Sequence, residues 1–210
     1  LGLGDAELLP ALSRHELASS GRGFSFLADE PLDMRFDPSR GTTAAQLVRS
    51  LPEADLARVL SEYGEDPHAR RIARSIVARR ERGPLTTTAD LVAAVKSALP
   101  RARWPRRSHV ATRTFQAIRM GVNDEIGALT DALPEAARLL AVGGRLGVIS
   151  FHSGEDRVAK RAFRSLSGGS WEEVTRTPVV PCHDERRANP RARSAKLRVL
   201  ERMDRGHGAA

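Results

Sequence analysis

The chain has 210 residues, and its 34 Lys and Arg against 26 Asp and Glu give a formal charge of +8 and a pI near 10.9; this length can bury one sizeable core, or one core and a small accessory domain. Only Lys96, Lys160 and Lys196 are lysines. Arginine's planar fork matches phosphate and stacks on bases, so a polyanionic partner is expected, although a GC-rich genome would enrich arginine too. The single Cys182 excludes a disulfide framework and a cysteine zinc cluster. With no signal peptide and no apolar run near the ~18 residues of a membrane span, the expectation is a cytoplasmic protein with no membrane partner. Aromatic content of 4% argues against a stacking platform for single strands.

The first forty residues keep no period. Helical spacing begins at "TTAAQLVRSL", with Ala44, Leu47, Val48 and Leu51 on one face behind Thr42 or Thr43 as cap. Leu56, Val59, Leu60 and Tyr63 predict a second helix closed by Gly64, and Ala69, Ile72, Ala73 and Ile76 a third with an arginine-rich outer face. "TTTADLVAAVKSALP" predicts a fourth, started by one of its threonines and stopped at Pro100, which makes residues 43–100 a small helical module. After the basic loop "RARWPRRSH", the period predicts one long helix, "VATRTFQAIRMGVNDEIGALTDAL". Its buried stripe is Phe115, Ile118, Val122, Ile126 and Leu129, and Gln116, Arg119 and Asn123 lie on another face. "PEAARLLAVGGRLGVISF" reads as helix, glycine turn and a near-continuous apolar strand, the pattern of a parallel strand covered on both sides in an α/β sheet. Ala195–Leu200 predicts one more strand.

Ligands in open α/β sheets bind beyond the carboxyl ends of strands, which places Phe151–Arg157 in position for chemistry. A plainer reading exists: Ser153 and Asp156 resemble a capping box for a helix from Val158 to Leu166, with Glu155 and Asp156 at its positive end. Capping leaves His152 and Arg157 unexplained. "LDMRFD" alternates charged and apolar residues, which fits a surface ion-pair cluster as well as a site. Arg191, Arg193, Lys196 and Arg198 form either a solvated strand edge or a phosphate contact. There is no G-x-S-x-G elbow and no H-x-x-x-H pair, so neither a serine hydrolase nor a metal site is expected, and "LGLGDAE" lacks the third glycine of a nucleotide loop.

Read in order, "RGFSF", "PLDMRFD", "YGEDPHARRIARSIV", "TTTADL", "HVATRTFQAIRMGVNDEI", "GGRLGVISFHSGEDRVAKRAF" and "NPRARSAKLR" resemble one family, the bacterial 16S rRNA (cytosine-N4)-methyltransferases, RsmH or formerly MraW. The resemblance runs from about Gly21 to Arg202. It implies a partial Rossmann-like methyltransferase core (residues 1–42 and 109–210) interrupted by an all-helical, substrate-recognising insert (residues 43–108). It also implies S-adenosyl-L-methionine as methyl donor and a cytidine in the decoding region of 16S rRNA, within the small ribosomal subunit, as acceptor. In that frame His152 and Ser153 orient the base, Asp33 and Asn123 join them at the catalytic centre, and Arg35, Arg113, Arg157, Lys196 and Arg198 meet the RNA. The family's Asp-Leu-Gly-Val-Ser-Ser motif aligns with Leu9–Arg14, so Leu9 stands at the aspartate position and Glu16 at that of a cofactor-contacting glutamine. Gly154 replaces a leucine. The family's glycine-rich cofactor loop lies on strands before this chain begins. The expectation is therefore weak donor binding by this chain alone, with a non-catalytic RNA-binding remnant as the alternative.

Overall fold

Thr43 starts the first helix of the computed structural model, which describes residues 20–106 and 108–204. Its hydroxyl accepts the Gln46 N–H at 3.2 Å, and the Gln46 side chain accepts the Thr43 N–H at 2.9 Å. This capping box satisfies two of the donors that a helix start leaves open. From it run α1 (Ala44–Ser50), α2 (Glu53–Glu62), α3 (Ala69–Arg80) and α4 (Thr88–Ala98). The periodic apolar positions are the buried ones: Val48, Leu56, Leu60, Ile72, Ile76, Leu91 and Val95 share one core. Each such side chain contributes roughly 1.5–3 kcal/mol when fully buried. Of the three threonines around the start of α4, Thr87 is the cap, in a box with Asp90. Arg80 donates to the Val48 and Leu51 carbonyls at 2.8 and 2.7 Å, and so closes the end of α1.

Gly64 follows α2 as expected but for a different reason. The left-handed residue is its neighbour, Glu65 at φ 47, whereas a Cβ on Gly64 would stand 2.7 Å from the Arg113 carbonyl oxygen. The glycine permits close approach of the helix that carries Arg113.

The single long helix expected from Val110 to Leu133 is two. α5 (Thr112–Asn123) and α6 (Glu125–Arg138) are separated by Asp124, which turns left-handed at φ 46 and accepts the Gly127 N–H through its side chain. Aspartate tolerates that conformation better than most residues, so it breaks the helix without a glycine. α6 then runs through Pro134, where a separate helix was expected to begin. The described residues fall into two compact units that divide between Asn123 and Asp124.

The second unit holds α6, β1 (Arg145–Ser150), α7 (Ser153–Leu166), β2 (Trp171–Glu173), α8 (His183–Ala188) and β3 (Lys196–Arg202). The strands lie in the order β1-β3-β2, every pairing antiparallel, with Val148 opposite Arg198 and Glu173 opposite Leu200. This overturns the parallel, doubly covered strand expected at β1. Leu146 and Val148 pack on α6 and α7 through Leu133, Ala137, Ala159 and Phe163, while Ile149 is 61% exposed. Among the described residues the helices cover one face of the sheet, so burial alternates along β1. β3 begins and ends slightly beyond the predicted strand, and β2 and α8 have too little periodicity to be read from sequence. No described helix is long and apolar enough to cross a membrane.

Candidate functional site

Two polar clusters answer to the residues singled out in the sequence, one in each unit. In the first unit, Leu32 and Met34 are buried at 2% and 0% exposure. Their alternation sends Asp33 and Arg35 to the other side, at 20% and 19% side-chain exposure. Arg35 Nε donates to Asp33 Oδ1 at 2.7 Å, Arg35 Nη2 to Oδ2 at 2.8 Å, and the Arg35 N–H to Oδ1 at 3.1 Å. The Arg35 hydrogen bonds hold the Asp33 carboxyl below its ordinary range against the opposing effect of burial, and the same pairing raises the Arg35 guanidinium. A carboxylate offers about four acceptor positions, and Arg35 takes three. Among the described residues no donor takes the fourth, on Oδ2.

Met34 between them is left-handed at φ 61, a conformation that costs a non-glycine residue about 1–3 kcal/mol and persists only where the surroundings enforce it. Asn123 is part of that enforcement. Its Nδ2 donates to the Met34 and Arg119 carbonyls at 2.7 and 2.9 Å, and its Oδ1 accepts the Phe36 N–H at 2.7 Å. Asn123 therefore reaches this site through the backbone of the loop. Arg113 lies exposed on α5 and donates to the Glu65 carbonyl at 2.8 Å. Leu9 and Glu16 lie outside the described residues. A groove of about 900 Å³ between α2 and α3, lined by Glu53, Arg58, Glu62, His68 and Arg74 among others, contains none of these positions.

In the second unit β1 gives way to α7 through Phe151 and His152. The capping box expected from Ser153 and Asp156 sits one residue earlier. His152 is the N-cap, its Nδ1 accepting the Glu155 N–H at 3.3 Å, and Glu155 Oε2 accepts the N–H groups of Phe151 and His152 at 2.8 and 3.4 Å. The helix begins at Ser153, and the imidazole takes the capping role that serine or threonine usually performs. With Nδ1 an acceptor, the proton of the neutral ring is assigned to Nε2. That atom is buried 3.0 Å from Glu155 Oε1, outside hydrogen-bond alignment. Burial raises the Glu155 carboxyl, but the His152 ring and the Phe151 and His152 N–H groups together hold it below its ordinary value.

One turn on, Asp156 accepts Arg198 Nε at 2.7 Å and Lys196 Nζ at 3.2 Å from β3. Arg198 also lies 3.5 Å from Glu173 on β2. Burial raises the Asp156 carboxyl, and the two cations more than reverse that. The Arg198 side chain is 4% exposed, which corrects the expected phosphate contact: its guanidinium ties α7 to the sheet and is not available at the surface. Lys196 is 35% exposed while paired, and Arg157 lies exposed on α7. Ser153 is the first residue of that helix and is half-buried. Arg22, which donates to the Arg35 and Phe36 carbonyls, and Glu173 beside Arg198 take part in these clusters and were missed; Arg22 stands in the quoted motif "RGFSF", which was the available signal. Among the described residues no group of three or more His, Cys, Asp and Glu is placed to hold a metal ion.

Comparison with known proteins places these features in context. The model of the MraW methylase family matches residues 11–203. A "Ribosomal RNA small subunit methyltransferase H" from Geobacter sp. (strain M21) is 47% identical over 208 residues, covering 91% of this chain and 67% of the relative. The protein of the same name from Kosmotoga olearia is 53% identical over 194 residues (91% and 64%). That from Methylococcus capsulatus is 48% identical over 204 (91% and 67%). The chain thus spans about two thirds of the length of these relatives.

Proposed function

The chain belongs to the MraW methylase family, and from that premise we propose that it serves methylation of small-subunit ribosomal RNA, at the exocyclic N4 amine of a cytidine in the decoding region of 16S rRNA, with S-adenosyl-L-methionine as donor. The observation that carries this reading is the family relationship along nearly the whole chain. In the same reading residues 1–42 and 109–210 contribute to a Rossmann-like core, and the helices of residues 43–108 recognise the RNA.

S-adenosyl-L-methionine supplies an electrophilic methyl group. Among the described residues no glycine-rich turn joins a strand to a helix start: β1 passes to α7 through Phe151 and His152. Donor binding is therefore assigned to no described residue. What the described chain offers is the acceptor side. The N4 amine of cytosine is a weak nucleophile because its lone pair is drawn into the ring. A carboxylate accepting one N–H holds the amine with its nitrogen lone pair in line with the incoming methyl, and after transfer that proton passes to the carboxylate and on to solvent. Asp33, kept ionised by Arg35 and with an Oδ2 position to offer, suits that role. A base must be out of its stack to be held in this way. The exposed arginines Arg113 and Arg157 meet phosphates.

A second reading, RNA binding without methyl transfer, is favoured by Leu9 and Glu16 standing where the family carries Asp and Gln. One experiment separates the two. Purified small subunits lacking the modification are incubated with the protein and labelled S-adenosyl-L-methionine, and the nucleosides are resolved by mass spectrometry. N4-methylcytidine in the 16S rRNA supports the first reading. Retention of subunits with no labelled nucleoside supports the second.

A further inference from the structure

The segment Leu32–Phe36 belongs to neither helix nor strand, yet each of its ten backbone polar groups has a partner. The N–H groups of Leu32, Asp33 and Met34 donate to the carbonyls of Thr86, Pro31 and Arg22 at 2.8, 3.0 and 2.8 Å. Those of Arg35 and Phe36 donate to the side chains of Asp33 and Asn123. The carbonyls of Leu32 and Asp33 accept from Ala45 and Ala44 at the start of α1, and that of Met34 from Asn123. The last two, on Arg35 and Phe36, accept from one atom, Arg22 Nη1, at 2.8 and 3.2 Å. Loops normally leave many such groups to water. In this loop three distant residues (Arg22, Thr86 and Asn123) and the start of α1 hold five consecutive residues from several sides, and one of the five is a strained, fully buried methionine.

The turn that carries Arg22 is built to reach the loop. Gly23 is left-handed at φ 76, and a Cβ there would stand 2.5 Å from the Pro31 carbonyl oxygen. Phe24 stacks on Phe36 with centroids 5.8 Å apart and planes 9° from parallel, and the Arg22 guanidinium lies 5.4 Å from the Phe24 ring. We propose that Arg22, together with Asn123, is a positioning residue that clamps the Leu32–Phe36 backbone and so fixes the Asp33–Arg35 fork for the acceptor base. A part-exposed ion pair two residues apart has little power to orient itself; the clamp orients it by holding both Cα atoms. The proposal rests on Asp33 being the acceptor of the reacting amine. It assigns Arg22 no contact with RNA, although composition alone would enlist that arginine as one more phosphate ligand.

The test combines hydrogen–deuterium exchange on the free protein with steady-state methylation of small subunits, for Arg22→Gln, Arg22→Lys and Asn123→Asp. In Arg22→Gln the amides of residues 34–36 should exchange about tenfold faster while those of α2 and α3 keep their protection. The kcat should fall about tenfold, with KM for subunits within about twofold. Arg22→Lys, which keeps a donor for the two carbonyls, should recover most of both. A phosphate contact would instead raise KM with kcat kept, and that pattern would overturn the proposal. Unchanged exchange at residues 34–36 overturns it, and so does lost protection with unchanged kcat. If Arg22→Gln also loosens α2 and α3, Asn123→Asp decides, since it keeps the acceptor for Phe36 and loses the donor shared by the Met34 and Arg119 carbonyls: an intermediate loss in both readouts is expected, and none in either overturns the clamp. If the unsubstituted protein transfers no methyl group, the parent reading fails, and exchange alone decides whether Arg22 clamps the loop.

Discussion

The loop at Asp33–Arg35 and the strand end at His152–Asp156 both bring a carboxylate and a cation together, but they use them differently. In the loop, most of the backbone is secured by residues far away in sequence, and of the Asp33–Arg35 pair only the Asp33 carboxylate takes a backbone N–H, that of Arg35. At the strand end the polar groups are consumed locally: His152 and Glu155 cap α7, and Asp156 with Arg198 ties that helix to the sheet. A dense polar cluster at the carboxyl end of a strand is therefore not by itself evidence of chemistry. The more informative sign is a charged pair whose support comes from elsewhere.

That contrast can be broken most forcefully at Arg198. Arg198→Ala should destabilise the second unit by about 3–5 kcal/mol, because it leaves Asp156 and Glu173 without their buried cation; a urea titration followed by Trp171 fluorescence reads this. A loss below about 1 kcal/mol would show the pair to be structurally idle. Acid should act on the same groups. Asp33, Glu155 and Asp156 all have depressed values in the folded state. Their stabilisation is therefore complete above the unfolded-state carboxyl range and lost as pH falls through the lower folded values. The contribution of these three carboxyls to thermal melts should be lost mainly below about pH 4. A melting temperature that rises on acidification would contradict the depression of these three carboxyls.

Much of the helical module was legible, because an apolar face recurring every three to four residues leaves few alternatives; Ile72, Ala73 and Ile76 are buried where the spacing placed them. The break at Asp124 was not, since the apolar period continues across it and only a backbone angle departs. The direction of β1 was not legible either. A run such as "LGVIS" reads alike in parallel and antiparallel sheets, and the partner that decides it is almost fifty residues away. For the site, "LDMRFD" was found as a pattern, but Arg22 and Asn123 matter through hydrogen bonds to carbonyls thirteen and eighty-nine residues distant. No local pattern encodes those.

Smaller effects sharpen the comparison. His152→Ala should cost about 0.5–2 kcal/mol through loss of the cap, and His152→Asn, a good N-cap, should restore it. If His152 also touches the base, the asparagine variant regains stability and still methylates slowly; full recovery of both would confine His152 to capping. Arg113→Gln removes one charge-assisted bond to the Glu65 carbonyl and should cost only about 0.5–1.5 kcal/mol. If Arg113 also meets a phosphate, the same change should lower the salt dependence of subunit binding by about one unit of slope.

The central claim is that the Asp33 carboxylate receives the reacting amine. Single-turnover methyl transfer to saturating small subunits by Asp33→Asn, compared with the unsubstituted protein, tests it most directly. The account predicts a rate lower by about 10²-fold or more, with subunit affinity kept. A rate within about threefold of the unsubstituted protein would contradict it.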